Sequence, residues 1–191
     1  MNKKDFKIYW NINEYDQWTE FDYKQLERAK LTDLTKNFLS GGFPDGAAPC
    51  VDFGLESSDG KFYNITEYYS DIDLVKGTEN YWIFGSDGAG NPICIDSSSN
   101  DKIVLLDHEL GFEKIQDINQ NIIELAKCLL EFKNFISEIE SEFGEDAFMD
   151  SKFSKANVDD LKERFKKINP NIFLESEFWK IEVECLYDEI E

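Results

Sequence analysis

The chain has 191 residues, of which 41% are apolar and 15% aromatic, so it can fold around a core of its own. Forty acidic and 20 basic residues give a formal net charge of −20. This charge excludes a surface that attracts nucleic acid or anionic lipid, and it favours a basic partner. Solubility alone explains such a charge equally well. No apolar run is long enough for a transmembrane helix or a secretory signal peptide, so we expect a cytoplasmic protein.

The N-terminal region predicts one strand followed by one helix. Apolar and polar residues alternate over residues 6–12, and a period of two is typical of a strand. Apolar residues three and four positions apart then predict a helix from about Tyr23 to Phe38. Gly41 and Gly42 follow it and are a strong signal for the end of a helix.

The middle of the chain predicts an antiparallel meander. Short apolar runs alternate there with clusters of Gly, Ser, Asn and Asp, which favour tight turns between consecutive strands. The predicted strands cover residues 48–53, 61–69, 80–84, 92–96 and 102–107.

The last third of the chain predicts helices. Apolar residues in steps of three and four from Ile122 to Phe143 form a wide stripe that suits packing on a sheet, with Asn119 as the predicted N-cap and Gly144 at the end. Asn157 is the predicted N-cap of the next helix, which ends at Asn169-Pro170. Residues 181–187 alternate like a strand, but a longer helical stripe over 179–190 favours a helix. The polar residues 145–156 are the one plausible seam.

We find no pattern that indicates catalysis or a cofactor. His108 is the only histidine, which excludes His-rich zinc sites, and it lies at a predicted strand end without a visible catalytic partner. The glycines of residues 85–90 resemble a phosphate loop but precede a strand, so a β-turn is the better interpretation. The four cysteines are far apart in sequence, and Cys94 and Cys128 are predicted core residues. We therefore expect a non-enzymatic protein with no metal or cofactor.

The acidic residues are concentrated, and one concentration suggests an interface. Over residues 45–73, acids in turns and short strands are interleaved with aromatic residues, a mixture common at protein interfaces. The alternative is that these aromatics are core residues and the acids solvate the opposite face. The candidate partner-binding residues are Asp45, Glu56, Asp59, Glu67, Tyr68, Tyr69, Asp71 and Asp73.

Several motifs occur in an order that resembles the SUKH superfamily, which includes the yeast Smi/Knr cell-wall regulator and many bacterial immunity proteins. The motifs are FLSGGFP at 38–44, IFGSDGAGNPICID at 83–96, the Asp-His-Glu strand end at 107–109, Ile118-Asn119 before a long helix, and Phe178-Trp179. The resemblance covers about residues 20–135, with a weaker match near 178. The N-terminal segment and an insertion at about 140–175 depart from the family pattern, and the Phe-Trp pair is similar to the fourth SUKH group.

The resemblance implies an α+β fold with a mostly antiparallel, multi-stranded sheet packed against helices. It implies a single domain over 1–191, with a core at about 20–135 and a C-terminal helical extension at about 145–191. It carries over no catalytic residue. Most bacterial members of the family are thought to neutralise a cognate toxin domain, often a nuclease or a nucleic-acid deaminase.

The preferred hypothesis is therefore a cytoplasmic immunity protein that binds a basic polymorphic toxin through an acidic surface, without nucleic-acid or membrane binding. The alternative is a regulatory or scaffold protein-binding module of the Smi/Knr type. A hydrolase that uses a pair of carboxylates is a third possibility, but no pair stands out among forty acids.

Overall fold

The protein is described by a computed structural model over residues 1–12, 17–54, 62–71 and 73–190. Within these ranges it has an α+β fold, in which a six-stranded antiparallel sheet packs against helices, and this confirms the expected fold class. The α-helices are α1 (Lys3–Trp10), α2 (Tyr23–Arg28), α3 (Asp33–Leu39), α4 (Ile65–Tyr68), α5 (Ile122–Phe143), α6 (Lys155–Ile168), α7 (Ile172–Glu175) and α8 (Glu177–Asp188). The strands are β1 (Trp18–Thr19), β2 (Phe43–Pro44), β3 (Gly46–Ala47), β4 (Val51–Phe53), β5 (Tyr81–Asp87), β6 (Pro92–Asp96), β7 (Lys102–Asp107) and β8 (Glu113–Asn119).

The main sheet is a meander, because β3 to β8 pair in sequence order and every pair is antiparallel. Its central strands β5, β6 and β7 confirm the strands predicted at 80–84, 92–96 and 102–107. Strand β8, whose polar composition lacks a clear alternation, was not predicted from the sequence, and neither were the two-residue strands β1, β2 and β3.

Both faces of the sheet are covered, and side chains alternate between them along β5, β6 and β7. What we call the helical face carries Trp82, Phe84, Ile93, Ile95, Ile103 and Leu105, which belong to one large hydrophobic cluster. What we call the cleft face carries Ile83, Cys94, Val104 and Leu106, which belong to a much smaller cluster with Ile65 and Phe112. The buried positions of Cys94 and Cys128 confirm them as core residues.

The long helix α5 covers the helical face and starts later than predicted. Asn121, not Asn119, caps it by accepting hydrogen bonds from the backbone N–H groups of Ile123 and Glu124. Asn119 instead ends β8, where its side-chain oxygen accepts a 3.0 Å hydrogen bond from Trp179 Nε1. Gly144 ends α5 as predicted, with a φ of +110°.

The predicted strand at residues 6–12 is wrong, because the segment contains α1. Asn2 and Asp5 form a capping box at its start, and Asn2 accepts hydrogen bonds from two backbone N–H groups. Phe6 and Trp10, one helical turn apart, are buried, whereas Ile8 is 70% exposed. A strand would place these three side chains on one face, so the apparent alternation came from an exposed isoleucine.

The predicted single helix from Tyr23 to Phe38 is in fact two helices, α2 and α3, which are separated by a break of extended backbone. Ala29 ends α2 in an extended conformation, and Thr32 caps α3. Asp101, which is 2% exposed, accepts hydrogen bonds of 2.8 and 2.5 Å from the backbone N–H and the hydroxyl of Thr32. This long-range contact with the β6–β7 turn fixes the break, and local periodicity could not reveal it.

Two of the predicted strands are also corrected. The strand predicted at 48–53 is limited to β4, because residues 48–50 form a turn and Cys50 has a φ of +47°. The strand predicted at 61–69 is wrong over the residues that the structure describes. Asn64 caps the short helix α4 there, and its capping box with Glu67 starts a helical turn.

The C-terminal region is helical, as predicted, and α8 resolves the strand–helix ambiguity in favour of the helix. Ser154, not Asn157, caps α6, and the Asn157 side chain completes the capping box. Asn169 ends α6 as predicted. The proposed seam at 145–156 contributes Ala147 and Phe153 to the same hydrophobic cluster as α5 and α8, so it packs with the domain and does not separate two parts of it.

Candidate partner-binding site

A cleft of about 520 Å³ opens on the cleft face, at the end of the sheet where β4 and β5 pair. The strands provide its floor, and the end of α4 provides an aromatic wall. The residues that determine its chemistry are Asp45, Asp52, Tyr68, Tyr69, Gly85 and Ser86. Over the described residues, α4 and the segment after it cover part of this face, and the cleft lies beside them.

The floor of the cleft depends on a very close approach of β4 and β5. Gly85 pairs with Phe53, and a Cβ atom placed on Gly85 would lie 2.1 Å from the backbone oxygen of Asp52. No residue with a side chain fits there without separating the strands. On β4, Val51 and Phe53 are buried on the helical face, and the alternation places the exposed Asp52 side chain on the cleft face.

Asp45 lies at the rim, in the single-residue connection between β2 and β3. The Thr19 hydroxyl donates a 2.6 Å hydrogen bond to Oδ1 of Asp45, and the Phe53 backbone N–H donates to the Asp45 carbonyl oxygen. These contacts hold the carboxylate in place, and no described residue donates a hydrogen bond to its Oδ2 atom. The Asp52 carboxylate likewise accepts no hydrogen bond from the described residues. The described lining contains these two carboxylates and no basic side chain.

Two adjacent tyrosines form the aromatic wall. Tyr68 is 39% exposed, and its ring lies edge-on to the Tyr69 ring with centroids 4.8 Å apart. The Tyr69 ring packs against the buried Phe112 ring at 4.4 Å, which ties the wall to the small cluster below it. Burial raises the pKa of Tyr69 above its usual value of 10, so the Tyr69 hydroxyl is neutral at physiological pH.

Glu67 has structural partners, although it lies on the same helix as Tyr68. Its two carboxylate oxygens accept hydrogen bonds of 2.9 and 2.7 Å from the Arg28 guanidinium, which also lies 5.5 Å from the centre of the Trp82 ring. Glu67 therefore holds α4 against α2, and this contact orients the aromatic wall.

The structure brings Asp45, Tyr68 and Tyr69 together, out of the residues predicted to bind a partner. Asp71 and Asp73 are exposed on the segment after α4, outside the lining of the cleft. Glu56 and Asp59 lie outside the described residues.

Sequence reasoning missed Asp52 and Ser86 as site residues. The signal for Asp52 was present, because Val51 and Phe53 flank it and a two-residue period places it opposite the core. Ser86 is its cross-strand partner on β5. This pairing depends on strand register, which the sequence does not specify alone.

His108, Cys94 and Cys128 are not part of the cleft lining. His108 is exposed at the end of β7, and its Nδ1 lies 2.8 Å from the side-chain oxygen of Asn91, as expected for a hydrogen-bonded strand-end residue. Burial raises the pKa of the Cys94 and Cys128 thiols well above the usual value, which keeps both thiols protonated. The described part of the chain contains no group of acidic, His and Cys side chains suited to a metal ion.

No family model, no curated protein and no solved structure matches this chain. Over the described residues, none of the helices is long and apolar enough to cross a membrane.

Proposed function

We propose that this protein is a cytoplasmic immunity protein of the SUKH type, which binds and neutralises a cognate toxin domain. The proposed toxin is a basic nuclease or nucleic-acid deaminase. Three features support the proposal: the order of the SUKH-like motifs, the antiparallel sheet packed against helices, and the net charge of −20. In this proposal the protein acts by stoichiometric binding and has no catalytic activity.

The observation that carries the proposal is the acidic and aromatic cleft. Enzymes that act on nucleic acid carry basic surfaces that hold phosphates. A surface with exposed carboxylates attracts such a partner over long distances and competes with the nucleic acid for the same basic groups. Asp45 and Asp52 supply negative charge in a concave site, and the Tyr68 and Tyr69 rings beside them supply apolar contact area. Tyrosine is enriched at protein interfaces for this reason.

The first experiment is affinity capture of the tagged protein from its own source strain at low and high salt. The expected result is a stoichiometric basic protein with a nuclease-like or deaminase-like domain, whose capture weakens as salt is added, because the Debye length is about 8 Å at physiological ionic strength. If no toxin is captured from a strain that expresses its toxins, and several unrelated proteins bind instead, the scaffold function is supported and the immunity function is rejected.

Co-expression then tests neutralisation directly. Cells that produce the captured toxin are expected to survive with the wild-type protein and to die with an Asp45→Asn/Asp52→Asn variant. The matched control is Asp33→Asn/Asp146→Asn, which removes the same charge from exposed sites outside the cleft and is expected to protect like the wild type. Cells that die despite the wild-type protein would reject the immunity function.

A further inference from the structure

We propose that the cleft binds the guanidinium group of an arginine side chain that projects from the partner protein. This inference rests on the proposed partner-binding function and specifies the chemistry of the contact. It assigns the cleft to one side chain, in contrast to a diffuse attraction between an acidic and a basic surface.

The shape of the cleft supports a single inserted side chain. The backbone of β5 comes so close to β4 at Gly85 that the floor carries no side chain at that position. The aromatic wall, formed by Tyr68 and Tyr69, rises beside this floor. The cleft volume of about 520 Å³ accommodates a long side chain with its surrounding water.

The two carboxylates of the cleft favour a positively charged ligand. Asp45 Oδ2 and the Asp52 carboxylate have no hydrogen-bond donor among the described residues, and no described lysine or arginine lines the cleft. Thr19 holds the Asp45 side chain in place with its 2.6 Å hydrogen bond, so the carboxylate does not have to become ordered when a cation binds.

The combination of carboxylates and aromatic rings favours arginine over lysine. A guanidinium is planar, offers five N–H donors to carboxylate oxygens, and stacks on an aromatic ring with little loss of hydration. A lysine ammonium is compact and more strongly hydrated, so it gains less from the tyrosines. Tyr68, which is 39% exposed, and Tyr69 both line the cleft beside the two carboxylates.

The test is a titration of the full-length, ¹⁵N-labelled protein with three capped tripeptides at low salt, followed by NMR. The tripeptides are glycyl-arginyl-glycine, glycyl-lysyl-glycine and glycyl-citrullyl-glycine, of which the last has the shape of arginine without its charge. We expect saturable shifts of the Gly54, Gly85 and Ser86 amide signals with the arginine peptide, and a dissociation constant of about 1–10 mM. The lysine peptide should bind more weakly, and the citrulline peptide should cause no saturable shift.

Variants then locate the contact. Asp52→Asn is expected to weaken arginine binding about fivefold, because one charge-assisted hydrogen bond is lost at a partly exposed site. Asp33→Asn removes one exposed charge outside the cleft and is expected to leave binding unchanged. Tyr68→Leu should reduce the preference for arginine over lysine. A well-dispersed spectrum of each variant verifies that it is folded.

The proposal is overturned by shifts spread over the acidic surface, by equal binding of the lysine and arginine peptides, or by unchanged binding to Asp52→Asn. The result is separate from the immunity test. A toxin that is captured and neutralised although the arginine peptide does not bind the cleft would overturn this inference alone. Peptide binding without a neutralised toxin would reject the immunity function alone.

Discussion

The two faces of the sheet differ greatly in how much they bury, although the same strands supply both. The helical face belongs to a cluster that includes α1, α3, α5, α6 and α8, and its aromatic rings contact each other over short distances. Phe84, for example, packs against Phe43 and Phe53 with ring centroids 4.9 and 4.8 Å apart. Among the described residues, the cover of the cleft face consists mainly of Ile65, Tyr69, Leu74 and Phe112.

In the proposed function, this difference separates stability and partner binding within one sheet. The helical face provides most of the apolar burial that stabilises the fold, because burial scales with the area removed from water. The described residues cover the cleft face thinly, and the carboxylates and tyrosines at its open end line the proposed binding site. A surface that binds other molecules has to keep such groups exposed and therefore buries less apolar area. The apolar burial that stabilises the fold comes from the opposite face.

The largest expected effect is at Phe84 on the helical face. Phe84→Ala should lower the free energy of unfolding by about 4 kcal/mol, because it removes a fully buried ring and leaves a cavity among close aromatic neighbours. Chemical denaturation of both proteins measures this difference. A loss below about 1 kcal/mol would contradict the claim that this face dominates stability.

A smaller loss is expected from Gly85→Ala at the floor of the cleft. The added Cβ would meet the Asp52 backbone oxygen, so β4 and β5 must separate locally, at an expected cost of about 3 kcal/mol. Denaturation gives the stability change, and the Gly54 and Ser86 amide shifts report the separation. An unchanged spectrum together with full stability would show that the strands are less close than described.

Ile83 allows the most direct comparison of the two faces, because it is the neighbour of Phe84 on the same strand. Ile83→Ala should lower the free energy of unfolding by about 2 kcal/mol, since Ile83 borders the cleft and the small cluster around it can relax into the space. The measurement is the same denaturation experiment. A loss equal to that of Phe84→Ala would remove the proposed difference between the faces.

The centre of the fold could be predicted from the sequence, since turn clusters separate β5, β6 and β7 and a long stripe marks α5. Errors arose where a distant contact decides the local structure. Asp101 fixes the break between α2 and α3 from a turn far away in sequence. In α1, the exposed Ile8 lies between the buried Phe6 and Trp10 in sequence, and the three together produce an alternation that is typical of a strand.

The candidate site was partly predictable for the same reason. The mixture of acids and aromatics drew attention to Asp45, Tyr68 and Tyr69, and the structure places them around one cleft. Two other features of the site depend on tertiary packing. They are the strand register that places Asp52 beside Ser86 and the ion pair between Glu67 and Arg28. A sequence pattern indicates which residues are exposed and charged, but it does not show which of them face the same space.

A further effect, of about 1 kcal/mol, concerns a half-buried carboxylate on the helical side. Glu182 lies one helical turn from the buried Phe178 and Leu186 on α8, and burial raises its pKa to about 7. Because the folded pKa exceeds the unfolded value of 4.5, the stability that Glu182 provides is present below about pH 4.5 and is lost as pH rises towards 7. After allowance for solvent screening, Glu182→Gln should be more stable than the wild type by about 1 kcal/mol at pH 8 and equal to it at pH 4. Denaturation at both pH values measures this, and an equal difference at both would contradict burial as the cause.

The smallest expected effect concerns the exposed aspartates beside the cleft. Asp71 and Asp73 are exposed and lie outside its lining, so in the proposed function they attract the partner mainly over long distances. Asp71→Lys/Asp73→Lys should slow association with the captured partner about three- to tenfold at low salt and change dissociation less than about twofold. Stopped-flow or surface-plasmon measurements separate the two rates, and the difference should shrink at high salt because charge interactions are screened.

The control Asp33→Lys/Asp146→Lys reverses the same number of charges elsewhere and should slow association less. Equal slowing by both variants would mean that net charge alone attracts the partner, and an unchanged association rate would place the interface away from this segment.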